Sequence, residues 1–246
     1  GLGDVYKRQG WCWPNSSIVP GAFCGITPTT APDPGVPARL RLSLPEDNNT
    51  KKTSTGMLIL ASQSPRRAEL LDQMGVDFRT EAAQVDETVH ADERAADYVE
   101  RVALAKAQTV QRRFPELPVL GSDTAVVLNQ TILGKPRDRQ DAIGMLLSLS
   151  GRPHDVLTGV ALATAGTTLY RLNVSRVTFR DIAEQEAVDY WATGEPADKA
   201  GGYAVQGLAA AFIERIEGSY SGIMGLPLFE TMQLLGKIGV HGRRPV

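Results

Sequence analysis

The chain has 246 residues, of which 42% are hydrophobic and 22% are charged, and its formal net charge is −2. These proportions are typical of a folded, soluble protein, and no apolar run is long enough to cross a membrane. Of the 26 basic and 28 acidic residues, 20 and 24 lie in residues 57–246, so this segment carries a charge of −4. An acidic segment is a poor candidate for non-specific binding to long nucleic acid.

Residues 1–56 differ in composition from the rest of the chain. They hold 7 of the 15 prolines, both cysteines and two of the three tryptophans, without a sustained apolar period. We expect a disordered leader that is non-native or dispensable, with Met57 as the natural first residue and a folded domain over 57–246. A targeting peptide is the alternative. Because residues 57–246 lack cysteine, disulfides, thiol catalysis and zinc–thiolate sites are excluded there, and the cytoplasm is the expected location.

The first predicted elements are a short apolar strand, Met57–Ala61, and the helix that follows it. Ser64 suits the cap of this helix, and Pro65 suits its first position, where no N–H group is needed. Arg66 and Arg67 then fall in the first turn, where cations are mildly disfavoured. Together with free helix N–H groups and two serine hydroxyls, they favour an anion site such as a phosphate site. The alternative is an ordinary strand–helix junction with solvated arginines.

Strand and helix signals alternate along the rest of the chain. Apolar residues at helical spacing predict a long second helix, and alternating residues predict two long antiparallel strands. The predicted elements are a strand at Val76–Ala82, a helix at Ala95–Arg113, short strands at Leu117–Leu120 and Thr124–Asn129, a hairpin into Thr131–Leu133, a helix at Asp138–Leu149, strands at His154–Thr164 and Thr168–Phe179, a helix at Ala183–Ala192, a strand at Leu208–Ile216 and a helix at Gly225–Leu235. This order predicts an α/β protein with a mixed sheet and flanking helices.

Asp123 is the first candidate for chemistry, because it follows an apolar run that ends at Leu120. A carboxylate just past a strand end is a common catalytic placement, where it activates water directly or holds a divalent cation that does so. A turn aspartate without a chemical role is the alternative.

Four further charged residues extend the candidate site. Lys135 stands between a glycine and a proline, where a rigidly held ammonium suits phosphate. Asp86 and Glu87 offer carboxylates for magnesium. The alternatives are a solvated loop lysine and a solvated acidic loop. Lys106 lies off the apolar stripe of the long helix, so it is either exposed or directed into a cleft.

A glycine-rich segment, 198–207, allows backbone to approach a ligand closely. Its Gln206 offers a donor and an acceptor, which suits the edge of a nucleobase, although a plain connector is the alternative. The three histidines, His90, His154 and His241, show no metal-ligand spacing and are interpreted as structural or exposed.

Together these segments resemble the Maf family of nucleoside triphosphate pyrophosphatases. The resemblance runs from Met57 to about Gly239 and is carried, in family order, by ASQSPRRAELL, the Asp86–Glu87 pair, GSDT, GKP, SGRPHDVLTGVAL, DKAGGYAVQG and GSYSGIMGLPL. It implies an α/β fold similar to inosine triphosphatases, with two lobes around a nucleotide-binding cleft. A homodimer is a further family expectation. One small departure is Ser122, where the family usually has alanine.

The resemblance also implies roles for individual residues. Asp123 is expected to accept a proton from the attacking water, and Glu87 is expected to hold a divalent cation, Mg²⁺ or Mn²⁺, together with Asp123. The remaining expected roles are triphosphate binding by Ser62, Arg66, Arg67, Lys106 and Lys135, and selection of the base by Arg66, Thr124 and Gln206.

The glycine-rich segment resembles the branch of the family that acts on dTTP and UTP. The implied reaction is hydrolysis of the nucleoside triphosphate to the monophosphate and pyrophosphate. Specificity for 7-methyl-GTP or other noncanonical nucleotides is an alternative. A nucleotide-sensing module in cell division, in which hydrolysis is incidental, is an alternative from another class.

Overall fold

The computed structural model describes residues 57–242, so the predicted leader at 1–56 lies outside the described residues. The strands are β1 (Leu58–Leu60), β2 (Phe78–Thr80), β3 (Val119–Leu128), β4 (Thr131–Leu133), β5 (Pro153–Ala163), β6 (Thr168–Phe179) and β7 (Ile213–Glu217). The helices are α1 (Pro65–Gln73), α2 (Ala95–Arg113), α3 (Arg139–Leu149), α4 (Glu184–Ala192), α5 (Tyr220–Met224) and α6 (Leu228–Gly236). Short 3₁₀ helices occupy Glu195–Asp198, Ala200–Gly202 and Leu208–Phe212.

The strands form one seven-stranded sheet in the order β2-β1-β3-β5-β6-β7, with β4 also paired to β3. Strand β1 runs parallel to β2 and β3, whereas the other pairs are antiparallel. The mixed sheet with flanking helices confirms the predicted α/β class. The two-lobed arrangement stays a prediction.

Strand β3 is continuous, so the prediction of two short strands with a break at Gly121–Asp123 is wrong. Its residues 119–127 pair with β5 without interruption, and this pairing overrides the local turn signal. On its other edge, β3 pairs with β1 through Val119–Leu120 and with β4 through Val126–Leu128. Among the described residues, no strand covers positions 121–125 on that edge, and a cleft opens there.

Helices pack on both faces of the sheet. On one face, buried leucines of β1, α1, β3, β5 and α6 form a continuous core: Leu58, Leu60, Leu70, Leu71, Leu120, Leu162, Leu234 and Leu235. On the other face, α2 approaches β3 and β5 closely through small residues such as Ala103 and Ala107. A β-carbon at Gly121 would lie 2.5 Å from the carbonyl oxygen of Ala103, so only glycine permits this approach.

The sequence predictions for α2, β5, β6 and the hairpin are confirmed, with Asn129 and Gln130 in the left-handed turn conformation. The region 208–216 is not a single strand, because Leu208–Phe212 forms a 3₁₀ helix before β7 begins. The Glu195 carboxylate accepts hydrogen bonds from the Leu208 and Ala209 N–H groups, at 3.0 and 3.4 Å, which stabilises this turn.

The last helix was predicted to begin at Gly225 but begins three residues later, at Leu228. The short helix α5 precedes it. Ser219 caps α5 by accepting a hydrogen bond from the Gly222 N–H group. Gly225, at φ 118°, ends α5 in the left-handed conformation that glycine favours. Within residues 57–242, no helix has the length and apolar character needed to traverse a bilayer.

Candidate active site

A cleft of about 600 Å³ opens at the uncovered edge of β3. It is lined by the start of α1, by β3, by the turn after β4 and by the segment 198–206. The structure brings every residue of the predicted site to this cleft: Ser62, Arg66, Arg67, Glu87, Lys106, Asp123, Thr124, Lys135 and Gln206. Their roles stay predictions, but their convergence from six separate regions of the chain is an observation.

The first wall of the cleft is the junction between β1 and α1. Ser62, which is buried, accepts a hydrogen bond from the Ser64 N–H group at 3.1 Å. Ser64 is the N-cap residue and Pro65 follows it as predicted, but the Ser64 hydroxyl makes no capping hydrogen bond. The first turn of α1 therefore keeps donors for a ligand, and Arg66 lines the cleft beside them.

Arg67 is held in place by neutral acceptors. Its Nε donates to the carbonyl oxygen of Gly225 at 2.7 Å, and its Nη2 donates to the Thr124 hydroxyl at 3.2 Å. Burial lowers the pKa of Arg67, an effect opposed by the charges of Asp123 and Glu87. Since no carboxylate forms an ion pair with it among the described residues, the guanidinium is oriented for an incoming anion.

Asp123 lines the cleft and is 5% exposed. Its Oδ1 accepts from the Lys106 Nζ at 2.7 Å, and the same ammonium lies 2.8 Å from Glu87 Oε1. Burial acts to raise the pKa of Glu87, but the hydrogen bond and charge of Lys106, with the charges of Lys135 and Arg67, together hold it below its ordinary value. Asp123 Oδ2 is buried and has no hydrogen-bond partner within residues 57–242. This oxygen is free to accept from water or to bind a cation.

The sequence left open whether Lys106 is exposed or directed into a cleft, and the structure shows that it is buried and directed at Asp123. The reason is tertiary, because the close approach of α2 to Gly121 brings this turn of the helix over Asp123. The alternation of β3 places Thr124 on the opposite face, against Arg67.

The loop that carries Glu87 is fixed by side chains of α2. The Tyr98 hydroxyl donates to the Glu87 carbonyl oxygen at 3.1 Å. Arg101 donates to the carbonyl oxygens of Asp86 and Thr88 and to the carboxylate of Glu93. The hydrogen bond from Arg101 lowers the pKa of Glu93 to about 2. These contacts hold Glu87 next to Lys106 although the loop has no regular structure.

Lys135 and Gln206 are exposed at the rim of the cleft. Their loops are joined, because the Gly201 N–H group donates to the Gly134 carbonyl oxygen at 2.9 Å. Gly201 has φ 69°, and a β-carbon there would lie 2.9 Å from Val126. A glycine is therefore required at the point where this loop crosses β3.

Two polar residues of β5 contact residues of the cleft: Thr158, which the sequence predictions did not single out, and His154, which they interpreted as structural or exposed. The Thr158 hydroxyl lies 3.0 Å from the Thr124 hydroxyl and 2.8 Å from the Gly222 carbonyl oxygen. The Nε2 atom of His154, which is 2% exposed, lies 2.8 Å from the hydroxyl of Tyr203 in the glycine-rich segment. The available signal was their spacing, because alternate residues of a strand share a face and these two polar residues share theirs with Val156.

Comparison with known proteins gives a consistent result. The family model described as Maf-like protein matches residues 57–238. The dTTP/UTP pyrophosphatase of Saccharophagus degradans is 50% identical over 192 residues, which cover 76% of this chain and 91% of that protein. The dTTP/UTP pyrophosphatases of Alkalilimnicola ehrlichii and Cupriavidus metallidurans are each 52% identical, over 95% and 99% of their lengths and 76% of this chain.

Proposed function

This chain belongs to the Maf-like family, as its motifs predicted, and we propose that it hydrolyses dTTP and UTP to the nucleoside monophosphate and pyrophosphate. It is thus a nucleoside triphosphate pyrophosphatase, a hydrolase of nucleotide metabolism. The observation that carries the proposal is the buried Asp123 carboxylate beside the oriented guanidinium of Arg67. One oxygen of this carboxylate has no hydrogen-bond partner in the described part of the chain.

In the proposed reaction, water attacks the α-phosphorus of the substrate. The Asp123 carboxylate accepts a proton from this water, a bond forms between the water oxygen and the α-phosphorus, and the bond from the α-phosphorus to the oxygen that bridges it to the β-phosphorus breaks. Pyrophosphate leaves with the electron pair of that bond. The ammonium of Lys106 donates to Asp123 Oδ1 at 2.7 Å and so holds the carboxylate in place for this proton transfer.

The triphosphate is assigned to the cationic wall of the cleft. Ser62, Arg66, Arg67 and Lys135 bind its oxygens, and Lys106 reaches it from α2. Such groups lower the barrier because they are already oriented toward the charge that develops on the leaving pyrophosphate. The contacts of Arg67 with Gly225 and Thr124 supply this orientation before substrate arrives.

The residues present fit a divalent cation, Mg²⁺ or Mn²⁺. Among residues 57–242, the buried Oδ2 of Asp123 has no hydrogen-bond partner, and Glu87 is the second carboxylate within reach of Lys106. Within the described range 57–242, no group of three or more His, Cys, Asp or Glu side chains could hold a metal. Two carboxylates are nevertheless what Mg²⁺ commonly takes when substrate phosphates complete its shell. A bound cation would neutralise charge on the phosphates, held by Asp123 and Glu87.

Selection of the base is assigned to Arg66, Thr124 and Gln206. Gln206 is exposed on a buried segment, where its amide is able to pair with a nucleobase edge. Thr124 is fixed between Arg67 and Thr158, so its hydroxyl has a defined position. The names of the relatives support pyrimidine substrates.

We also propose that the enzyme acts in the cytoplasm and that it forms a homodimer. Residues 57–246 contain no cysteine and so need no disulfide bond, which suits a reducing compartment. Fractionation of cells and light scattering of the purified chain test these two proposals.

The deciding experiment measures pyrophosphate release by the purified chain with Mg²⁺ across dTTP, UTP, CTP, GTP, ATP and 7-methyl-GTP. Strong release from dTTP and UTP, with the monophosphate as co-product, is the expected result. Preference for 7-methyl-GTP would instead assign the chain to another specificity branch. Tight binding without release from any nucleotide would contradict the enzymatic proposal and favour a sensing module. Addition of a chelator then tests the cation requirement.

A further inference from the structure

The segment 199–207 carries Gln206 to the rim of the cleft without a long helix or strand of its own. It contains one turn of 3₁₀ helix, Ala200–Gly202, and then runs irregularly to Gly207. Residues 201–205 are buried, whereas Gln206 is exposed. The position of the Gln206 side chain therefore depends on how the buried part of the segment is held.

Two backbone N–H groups tie this segment to its surroundings. Gly201 donates to the Gly134 carbonyl oxygen at 2.9 Å, and Ala204 donates to the Tyr190 hydroxyl at 3.2 Å. The Tyr190 hydroxyl in turn donates to Glu195 at 2.7 Å. These bonds fix the start and middle of the segment, and the side chain of Tyr203 makes a further buried link.

Tyr203 connects the segment to the sheet. Its hydroxyl lies 2.8 Å from His154 Nε2, and its ring packs edge to face against His154 and Phe179, at centroid distances of 5.4 and 4.9 Å. Both partners of the hydrogen bond are nearly inaccessible to solvent, at 2% for His154 and 5% for Tyr203. A neutral hydrogen bond in such surroundings is costly to break, because water cannot replace the lost partner.

The strand that supplies His154 also supports the other residue assigned to base selection. His154, Val156 and Thr158 are alternate residues of β5 and so share a face. His154 contacts Tyr203, Val156 lines the cleft, and Thr158 contacts Thr124. One face of a single strand thus connects the segment of Gln206 with Thr124.

We propose that His154 and Tyr203 are positioning residues that hold the segment of Gln206 in place and thereby set the preference among nucleobases. They act through the segment rather than on the reacting phosphates. This inference rests on the proposed function, in which Gln206 contacts the base.

The test substitutes Tyr203→Phe in the full chain, which removes one hydroxyl and keeps the ring. The ratio of kcat/KM for UTP to that for CTP is expected to fall about five- to tenfold, as for loss of one neutral hydrogen bond. The fall should come from a higher KM for UTP, with kcat changed by less than about twofold, because Asp123 and the cationic wall are intact. Inhibition by inorganic triphosphate should be unchanged.

Tyr170→Phe is the matched control. Tyr170 is a partly buried tyrosine, and its hydroxyl is buried and has no hydrogen-bond partner within residues 57–242. This substitution removes a buried hydroxyl from β6, away from the segment, and should leave the UTP to CTP ratio unchanged. An equal loss of selectivity in both variants would overturn the inference.

A second readout does not depend on the substrate. Hydrogen exchange of backbone amides in 203–207 is expected to be at least tenfold faster in Tyr203→Phe, with exchange in β3 unchanged. If the segment exchanges as in the unsubstituted chain, the inference fails even where hydrolysis of dTTP and UTP is intact. If the unsubstituted chain releases no pyrophosphate, the proposed function fails, and the exchange result still decides whether the pair anchors the segment.

The double variant Tyr203→Phe/His154→Leu separates loss of the anchor from a general loss of stability. It removes both polar partners, so no buried group is left without a hydrogen bond, and its thermal stability should exceed that of Tyr203→Phe. Selectivity should stay low because the anchor is still missing. Recovery of selectivity together with stability would overturn the positioning role.

Discussion

The two ends of the cleft are held together by different kinds of interaction. At the phosphate end, charged groups such as Lys106 and Asp123 are buried on α2 and β3 and held by ion pairs. At the end assigned to the base, the irregular segment 199–207 is held by neutral hydrogen bonds from Tyr190 and His154. Charge suits the triphosphate, which every nucleoside triphosphate shares, whereas position and shape are what distinguish one base from another.

The largest expected effect comes from removing the carboxylate at the phosphate end. Asp123→Asn should lower kcat for dTTP by roughly 10²–10⁴-fold, which is typical for the loss of a general base. Pyrophosphate release measures the effect, and the thermal midpoint confirms that the variant is folded. Near-full turnover in a folded variant would remove Asp123 from its assigned role.

Removal of the buried cation should destabilise the fold itself. Lys106→Met leaves the buried Asp123 carboxylate without its ion pair and should lower the free energy of unfolding by about 3–5 kcal/mol. Urea denaturation measures this change. In Lys106→Met/Asp123→Asn the loss should be smaller than the sum of the single effects. Strict additivity would mean that the two groups do not interact.

The base end should depend on pH through His154. Burial lowers the pKa of His154 from 6.5 to about 4. As the pH falls, His154 therefore binds a proton in the unfolded chain before it does so in the folded chain. The contribution of neutral His154 to the free energy of unfolding is fully present above pH 6.5 and is lost as the pH falls toward 4, by about 3 kcal/mol in total. Denaturation between pH 7 and 4.5 measures the slope.

His154→Leu is the control for the pH dependence of the free energy of unfolding, since leucine binds no proton at position 154. Glu93 and Glu186 do not interfere, because Arg101 and Arg180 lower their pKa values to about 2. Their contribution is lost only below the ordinary glutamate pKa of 4.5. A slope that persists unchanged in His154→Leu would assign it to another group.

Gln206→Ala changes the end of the cleft that is assigned to the base. It should reduce discrimination between nucleobases without abolishing turnover. Loss of the amide should reduce the free-energy preference for UTP over GTP by about 1–3 kcal/mol, because polar groups on the base lose their partner. Parallel kcat/KM measurements on the two nucleotides give the value. An unchanged ratio would show that Gln206 does not contact the base.

Lys135→Ala should give the opposite pattern and the smallest effect. Lys135 is exposed at the rim, so its loss should lower kcat/KM by about tenfold for every nucleotide alike. The UTP to GTP ratio should stay constant. A change in that ratio would place Lys135 near the base rather than the phosphates.

Sequence reasoning found the residues of the phosphate end more readily than those of the base end. Asp123, Arg67 and Lys135 carry formal charges within short motifs, so their chemistry is visible before the fold is known. His154 and Tyr203 showed no such signal. Their partnership spans 49 positions of the chain and arises only when β5 and the segment 199–207 meet.

Local patterns also determined most of the secondary structure. The helical period of α2 and the alternation in β5 and β6 are intrinsic to the sequence, because each face must bury apolar residues. The continuity of β3 through Gly121 was decided by pairing with β5, which supplies partners for backbone groups that a turn would have used otherwise.

The sequence by itself therefore determined the α/β class, the family and the charged candidates, because periodicity and motif order are properties of the chain. Tertiary structure alone decided that Lys106 is buried against Asp123, that Arg67 is oriented by neutral acceptors, and that the segment of Gln206 is anchored on β5. These contacts join residues distant in sequence, and only the packing of helix and loop on the sheet brings them within hydrogen-bond distance.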